Sequence, residues 1–329
     1  MSMGRKFKLN SGYEIPAVGL GTWLAKPNEV AVAVETALRC GYRHIDAAAI
    51  YQNEHEVGEG WKKSGVPREE IFCRLCSSPD PVLVQITSKL WNNNHHPDDV
   101  EAALDKTLKD LQTDYLDLYL IHWPVCFVHQ GDELFPKDPE TNLFLKKEMP
   151  IADTWAAMEK LVATGKVRSI GISNFNIEKT EEVLKTAKIV PAVNQIEAHP
   201  WLQQHKLFDY LKSKGSHKRL LIMSEDSVID DPTIRSIAKK LNLDPAQMLI
   251  SWAVQRGTVV LPKSVTPSRI ESNFKDVVLP DAEFEELNKL DKHKRFNLPF
   301  DWGVDIFDEV GEAEIERMAK EEAARTKSS

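Results

Sequence analysis

Residues 167–197 read VRSIGISNFNIEKTEEVLKTAKIVPAVNQIE. Two strand-like apolar runs, Val167 to Ile172 and Val193 to Glu197, flank a helix-like amphipathic stretch, Ile177 to Thr186, with Asn176 at the position of a helix N-cap. A strand, a helix and a second strand in this order read as a βαβ unit with parallel strands. The same alternation continues outward in both directions. Strand-like runs recur at Val18 to Gly21, His44 to Asp46, Gln85 to Ser88, Leu116 to His122, Leu220 to Met223 and Thr258 to Leu261. Helix-like patterns recur at Glu29 to Leu38, Asp98 to Leu111, Ile151 to Ala163 and Pro232 to Leu241. Eight strand candidates in one chain predict a (β/α)8 barrel of the α/β class. Pro245 to Gln255 and Asp281 to Leu290 exceed the eightfold pattern and predict two additional helices.

No linker or low-complexity tract divides the chain, so residues 1–310 read as one barrel domain and residues 311–329 as a charged C-terminal tail, frayed or helical at the surface. The 329 residues are 42% hydrophobic and 28% charged, the balance of a globular chain able to bury a large core. A net charge of −8 opposes binding to nucleic acid or an anionic lipid surface. Four cysteines in this length give no disulfide framework. The N-terminus lacks the apolar run of a secretory signal, and no run approaches a membrane span. These features predict a cytoplasmic protein with neither nucleic-acid nor membrane partners.

Working residues of a (β/α)8 barrel sit at the C-terminal ends of the strands and in the loops that follow. The second strand ends at Asp46, with Tyr51 five residues on; the third carries Lys89 and the fourth ends at His122. One polar strand end usually caps a loop, but four on successive strands converge on one barrel mouth. A lysine ammonium beside a tyrosine hydroxyl stabilises the phenolate and is expected to lower its pKa, while an aspartate holds the lysine charged and oriented. A histidine on the neighbouring strand can position a carbonyl oxygen against that hydroxyl. The pattern points to Tyr51 as a proton donor to a carbonyl.

The motifs Gly19-Leu-Gly-Thr-Trp23, Asp46 with Tyr51, Thr87-Ser-Lys-Leu-Trp91, Ile121-His-Trp-Pro124, Gly171-Ile-Ser-Asn-Phe175, Asn194-Gln195 and Leu261-Pro-Lys-Ser-Val-Thr266 carry a resemblance. Over roughly residues 5 to 310 the chain resembles the aldo-keto reductase superfamily, most of all its fungal NADP-dependent glycerol dehydrogenases and aldehyde reductases. The resemblance implies Asp46, Tyr51, Lys89 and His122 as a catalytic tetrad, and an extended NADP(H) across the barrel mouth. It implies a loop at Gly21, Thr22 and Trp23 beside the cofactor, and Ser173, Asn174 and Gln195 on the nicotinamide carboxamide. Lys263, Ser264, Val265, Thr266 and Arg269 would meet the adenosine 2′-phosphate, with Asn273 at the adenine. Independently, Lys263, Ser264, Thr266 and Arg269 cluster after the eighth strand, the usual phosphate corner of such barrels. No GxGxxG or Walker sequence competes, since Gly19 and Gly21 are followed by Leu24. Trp23, Trp91 and Trp123 fall at pocket positions, and Trp302 in a C-terminal loop over the barrel mouth. The implied reaction is hydride transfer between the cofactor and a small carbonyl or alcohol, with the chain acting as a monomer.

Two stretches depart from the family pattern. Residues 73–85, CRLCSSPDPVLVQ, read as an insertion just before the lysine strand, as an in-frame retained intron would give. Cys73 and Cys76 have CxxC spacing but no second pair for zinc and no thioredoxin-like context. Residues 216–227, SHKRLLIMSEDS, replace the family's strand-seven tyrosine, which stacks on nicotinamide, and the loop over the pyrophosphate. With Met223 near the stacking position, weakened cofactor binding and an impaired, reductase-shaped protein are the alternative expectation. A metal-dependent hydrolase built on His44, Asp46, His122 and His199 fails on its HxD spacing and on Lys263 where such sites want a carboxylate. No metal is expected.

Overall fold

The computed structural model describes residues 4–68, 84–215, 217–221 and 226–327. In chain order they form β1 (Lys6–Lys8), β2 (Glu14–Pro16), β3 (Leu20–Gly21), α1 (Val30–Cys40), β4 (His44–Asp46), α2 (Glu54–Ser64), β5 (Gln85–Leu90), α3 (Val100–Leu111), β6 (Leu118–Ile121), α4 (Ile151–Ala163) and β7 (Ile170–Ser173). There follow α5 (Ile177–Leu184), β8 (Val193–Glu197), α6 (His205–Ser213), β9 (His217–Leu221), α7 (Asp226–Ile229), α8 (Pro232–Leu241), α9 (Pro245–Gln255), α10 (Pro267–Asn273), α11 (Asp281–Asn288) and α12 (Glu312–Lys327).

Strands β3 to β9 pair in chain order as a parallel sheet. Parallel bridges from Val18 to Val260 and from Gly21 to Lys263 set the eighth strand-like run beside the first, the arrangement of a (β/α)8 barrel. Alternation along β6 shows why the sheet curls around a core. Leu118 and Leu120 pack in one buried cluster with Val193, Val259 and Leu261, whereas Tyr119 and Ile121 join the larger cluster shared with the helices. Leu9, just after β1, and Ile15, within β2, join the first cluster and plug the end of the barrel where the strands begin. Each fully buried Leu, Ile or Val adds about 1.5–3 kcal/mol, so the two-sided burial of the strands is a large stabilising contribution.

The opposite end stays open to chemistry. Trp91, Trp123, Phe127, Trp302 and Ile306 form a separate buried cluster after the C-terminal ends of β5 and β6. Trp302 belongs to a 3-10 turn, Phe300–Trp302, against which α12 packs. The charged C-terminal segment is thus a docked helix, with Ile315, Ala319 and Ala323 buried at four-residue spacing.

Four helices of the described residues, α2, α6, α7 and α10, have no counterpart among the helices expected from the sequence. In α2 (EHEVGEGWKKS) Gly58 and Gly60 depress helix propensity, yet both serve packing. A Cβ on Gly60 would lie 2.5 Å from the Ala31 carbonyl oxygen, and one on Gly58 2.8 Å from that of Leu111. Helix α6 starts after Gln204 in the left-handed region (φ 52°) with no side-chain cap, so it lacks the usual start signal. The seventh strand spans His217–Leu221 and pairs Gln195 with Arg219 and Glu197 with Leu221; it begins three residues and ends two residues earlier than expected. The expected stacking position, Met223, lies outside the described residues, as do Cys73 and Cys76.

Candidate active site

Each tetrad candidate is carried by a strand end. Asp46 closes β4, and Tyr51 follows in a 3-10 turn, Ala49–Tyr51. Lys89 lies in β5, and His122 directly follows β6, its backbone N donating to Leu90 O at 3.1 Å. The Lys89 ammonium is fully buried and donates to Asp46 Oδ2 at 2.7 Å, to the Ala47 carbonyl at 2.8 Å and to Tyr51 Oη at 3.4 Å. The His122 ring meets the Tyr51 ring edge-on, with centroids 5.8 Å apart. The four residues expected to meet therefore do meet.

Burial would lower the Lys89 pKa, but Asp46 and Tyr51 together outweigh it and hold the ammonium charged. Tyr51 departs from expectation. Burial raises its pKa above the ordinary phenol value, and the Lys89 charge offsets that rise only in part. Tyr51 is accordingly a neutral hydroxyl at neutral pH, with its proton available. Burial, reinforced by the Lys89 charge and by His95, pushes His122 well below the usual imidazole range, so its ring is neutral too. Its Nδ1 is buried without a hydrogen-bond partner among the described residues.

A second layer comes from β7 and β8. Gln195 Nε2 donates to Asp46 Oδ1 at 2.9 Å, so each carboxylate oxygen is engaged. Ser173 Oγ donates to the Gln195 carbonyl at 2.9 Å. Asn174, in the left-handed region at φ 62°, donates through Nδ2 to the His122 carbonyl at 3.0 Å and to Ser173 Oγ at 3.1 Å. The Asn174 and Gln195 amide oxygens remain without hydrogen bonds among the described residues. Thr22 Oγ1 donates to the Asp46 carbonyl at 2.9 Å, and Trp23 is half-buried beside Tyr51, ring centroids 6.5 Å apart.

Strand β3 links this cluster to the basic corner, because Gly21 pairs with Asp46 on one side and bridges to Lys263 on the other. Lys263 is exposed and donates to the Leu24 carbonyl at 3.1 Å. Ser264 Oγ accepts from the Thr266 backbone, Val265 packs against the core, Arg269 is exposed, and Asn273 is buried at the end of α10. Neither Lys263 nor Arg269 forms an ion pair among the described residues.

A cavity of about 180 Å³ opens onto Tyr51 and His122, walled by Trp23, Trp91, Trp123 and Trp302. All four expected tryptophans are there. Ile50, Phe135, Asn297 and Pro299 also line it. Ile50 directly precedes Tyr51, whereas Phe135 sits in the long connection after Pro124 and Asn297 and Pro299 lie near the C-terminus, stretches that carry none of the motifs. Trp91 Nε1 donates to the Leu134 carbonyl at 2.7 Å, and Trp302 lies edge-on to Trp91, Trp123 and Phe127, which fixes the wall. The hydrolase candidates are dispersed: His44 bonds Thr87 and His199 bonds Glu197. Among the described residues no three His, Cys, Asp or Glu side chains could hold a metal ion.

Comparison with known proteins agrees with this architecture. The model of the Aldo/keto reductase family matches residues 17–218 and 216–292, two segments that overlap at residues 216–218. The chain is 45% identical over 330 residues to D/L-glyceraldehyde reductase of Hypocrea jecorina, covering 93% of this chain and 95% of that protein. It is 42% identical over 309 residues to human aldo-keto reductase family 1 member A1, covering 88% and 90%. The solved aldose reductase of Schistosoma japonicum superposes with a TM-score of 0.81 at 40% identity, covering 88% of this chain and 93% of that one. The chain belongs to the aldo/keto reductase family and is an oxidoreductase of the (β/α)8 fold.

Proposed function

We propose that this protein is an NADP(H)-dependent reductase that interconverts small aldehydes or ketones with their alcohols, using Tyr51 as the proton donor. The observation that carries the reading is the buried ammonium of Lys89, which bridges Asp46 and Tyr51 at the mouth of an aromatic cavity. When bound, NADPH supplies the hydride. The donor set fits such a group. Two free amide oxygens, on Asn174 and Gln195, suit the two hydrogens of a carboxamide, and two exposed cations, Lys263 and Arg269, suit a 2′-phosphate.

Within the cavity, His122 as a neutral imidazole orients the carbonyl oxygen toward Tyr51. The Tyr51 hydroxyl then gives its proton to that oxygen as negative charge develops there. Lys89, kept charged by Asp46, stabilises the phenolate that remains. The relative named for D/L-glyceraldehyde reduction supports short polyol carbonyls such as glyceraldehyde or dihydroxyacetone, with glycerol as a reverse substrate. The protein acts, on this reading, as a cytoplasmic monomer in which residues 1–310 are the reductase domain. No helix among the described residues is long and apolar enough to cross a membrane.

Quenching of tryptophan fluorescence on titration with NADPH, with NADH as control, tests the reading. Saturable micromolar binding selective for NADPH is expected. A folded protein that binds neither cofactor would overturn the reading in favour of the second one: a reductase-like barrel disabled by the departure at residues 216–227.

A further inference from the structure

Trp91 also lines a second cavity, of about 770 Å³, that contains no member of the tetrad. Its walls are the start of α2, the middle of α3 and the connection around residues 129–134. Deepest in it lie Glu54, Thr107 and Tyr119, exposed by 5%, 1% and 1%. Two of these groups are incompletely used. Thr107 donates to Glu54 Oε2 at 3.0 Å and Ser88 donates to Oε1, yet no cation pairs with this carboxyl among the described residues. A carboxylate accepts up to about four hydrogen bonds, so half of its capacity stays open. The Tyr119 hydroxyl makes no hydrogen bond among the described residues. Burying such groups without partners is costly, which points to an occupant that supplies them.

The charge around the cavity selects the sign of that occupant. Three carboxyl groups, those of Glu54, Asp110 and Asp132, line it against one lysine, Lys106, which Asp110 already holds at 3.2 Å. The other titratable groups facing Glu54 are Tyr119, His55 and His129. Tyr119 is a neutral phenol, because burial and the nearby Glu54 raise its pKa. His55 is exposed on α2, and His129 Nδ1 is engaged by the Asn93 carbonyl at 3.1 Å. The surplus is therefore negative and repels anions. Among the described residues no three His, Cys, Asp or Glu side chains could hold a metal ion, which argues against a divalent cation.

We propose that this cavity is a binding site for a small organic ammonium ion, whose N–H groups donate to the Glu54 carboxylate and to the Tyr119 oxygen. A primary ammonium carries three donors and no acceptor, which suits a site that offers acceptors. Its carbon chain lies against Ala102, Ala103, Leu134 and Trp91. Because Trp91 is shared with the catalytic cavity, occupancy is reported by tryptophan fluorescence. The ammonium pairs with the ionised carboxylate, and burial pushes that carboxyl up to about 7. Affinity should accordingly rise about tenfold between pH 6 and pH 8 and level off above.

The test titrates propylammonium chloride into the wild type, Glu54→Gln and Tyr119→Phe at pH 6 and pH 8, followed by calorimetry and tryptophan fluorescence. Tetramethylammonium, a cation without N–H groups, and propionate, an anion of the same chain length, are the controls. Saturable binding of propylammonium alone is expected. Glu54→Gln should weaken it at least tenfold at pH 8 and remove most of its pH dependence, while retaining the histidines. Tyr119→Phe removes an atom with no partner in the fold, so it should fold normally and weaken binding about fivefold. Urea unfolding of each variant shows that it is folded. Three results overturn the proposal: no saturable binding by the wild type at pH 8, equal binding of tetramethylammonium, or wild-type affinity in Glu54→Gln.

Discussion

Lys89 Nζ and Asp46 Oδ2 lie 2.7 Å apart with both side chains almost wholly withdrawn from water, 0% and 3% exposed. Removing one member of such a pair leaves the other charge buried and alone, which typically costs about 3–5 kcal/mol. Asp46→Asn and Lys89→Met should each lower stability in urea unfolding by about that amount, and each should abolish reduction. The double variant carries no lone charge and should recover most of the stability while remaining inactive. Additive losses in the double variant would show that the two residues act independently.

Glu54 opens α2 next to the tetrad, fully buried, and accepts hydrogen bonds from Ser88 and Thr107. Burial pushes its carboxyl up to about 7, with the two hydroxyls opposing the shift only in part. A carboxyl with a raised folded-state pKa takes up protons on folding, so its contribution is fully present below the unfolded value near 4.5 and is lost as pH rises through about 7. Between those limits the wild type should lose on the order of 2–3 kcal/mol from this group. Glu54→Gln should flatten that part of the stability curve and be the more stable protein at pH 8. Parallel curves for wild type and variant across pH 4.5 to 7.5 would contradict this.

Lys263 and Arg269 are exposed and without ion-pair partners among the described residues, so an arriving phosphate would break no ion pair and compete only with water and with the Leu24 carbonyl that Lys263 meets. Lys263→Ala and Arg269→Ala should each weaken NADPH binding roughly tenfold or more and leave NADH nearly unaffected. Wild-type affinity for NADPH should fall with added salt. An equal loss for both cofactors would place the 2′-phosphate elsewhere.

How far the sequence could be read varies with the physics behind each feature. Helix α4 spans Ile151–Ala163 as the periodicity predicts, and the strand at Val193–Glu197 agrees as well, because their apolar patterns answer directly to burial. The convergence of Asp46, Tyr51, Lys89 and His122 was legible because strand-end positions translate into one barrel mouth. Helix α2 was not, since Gly58 and Gly60 are dictated by the approach of Ala31 and Leu111 from other elements. The C-terminal segment read as a tail because only Ile315, Ala319 and Ala323 of α12 are buried, too few to mark an amphipathic face against many charges. Local chemistry predicted a lowered Tyr51 pKa, but burial dominates, and burial is set by residues far along the chain. Asn297 escaped notice for the same reason: its place in the cavity depends on Glu197, a hundred residues away.

NADPH-dependent reduction of glyceraldehyde by the wild type and by Tyr51→Phe, with NADPH affinity measured for both, tests the central claim most directly. The account predicts a wild type that turns over and a Tyr51→Phe variant that binds NADPH equally well yet loses activity by at least two orders of magnitude, as expected for a general acid. A Tyr51→Phe variant as active as the wild type would contradict it, as would a folded wild type that binds NADPH and reduces no aldehyde.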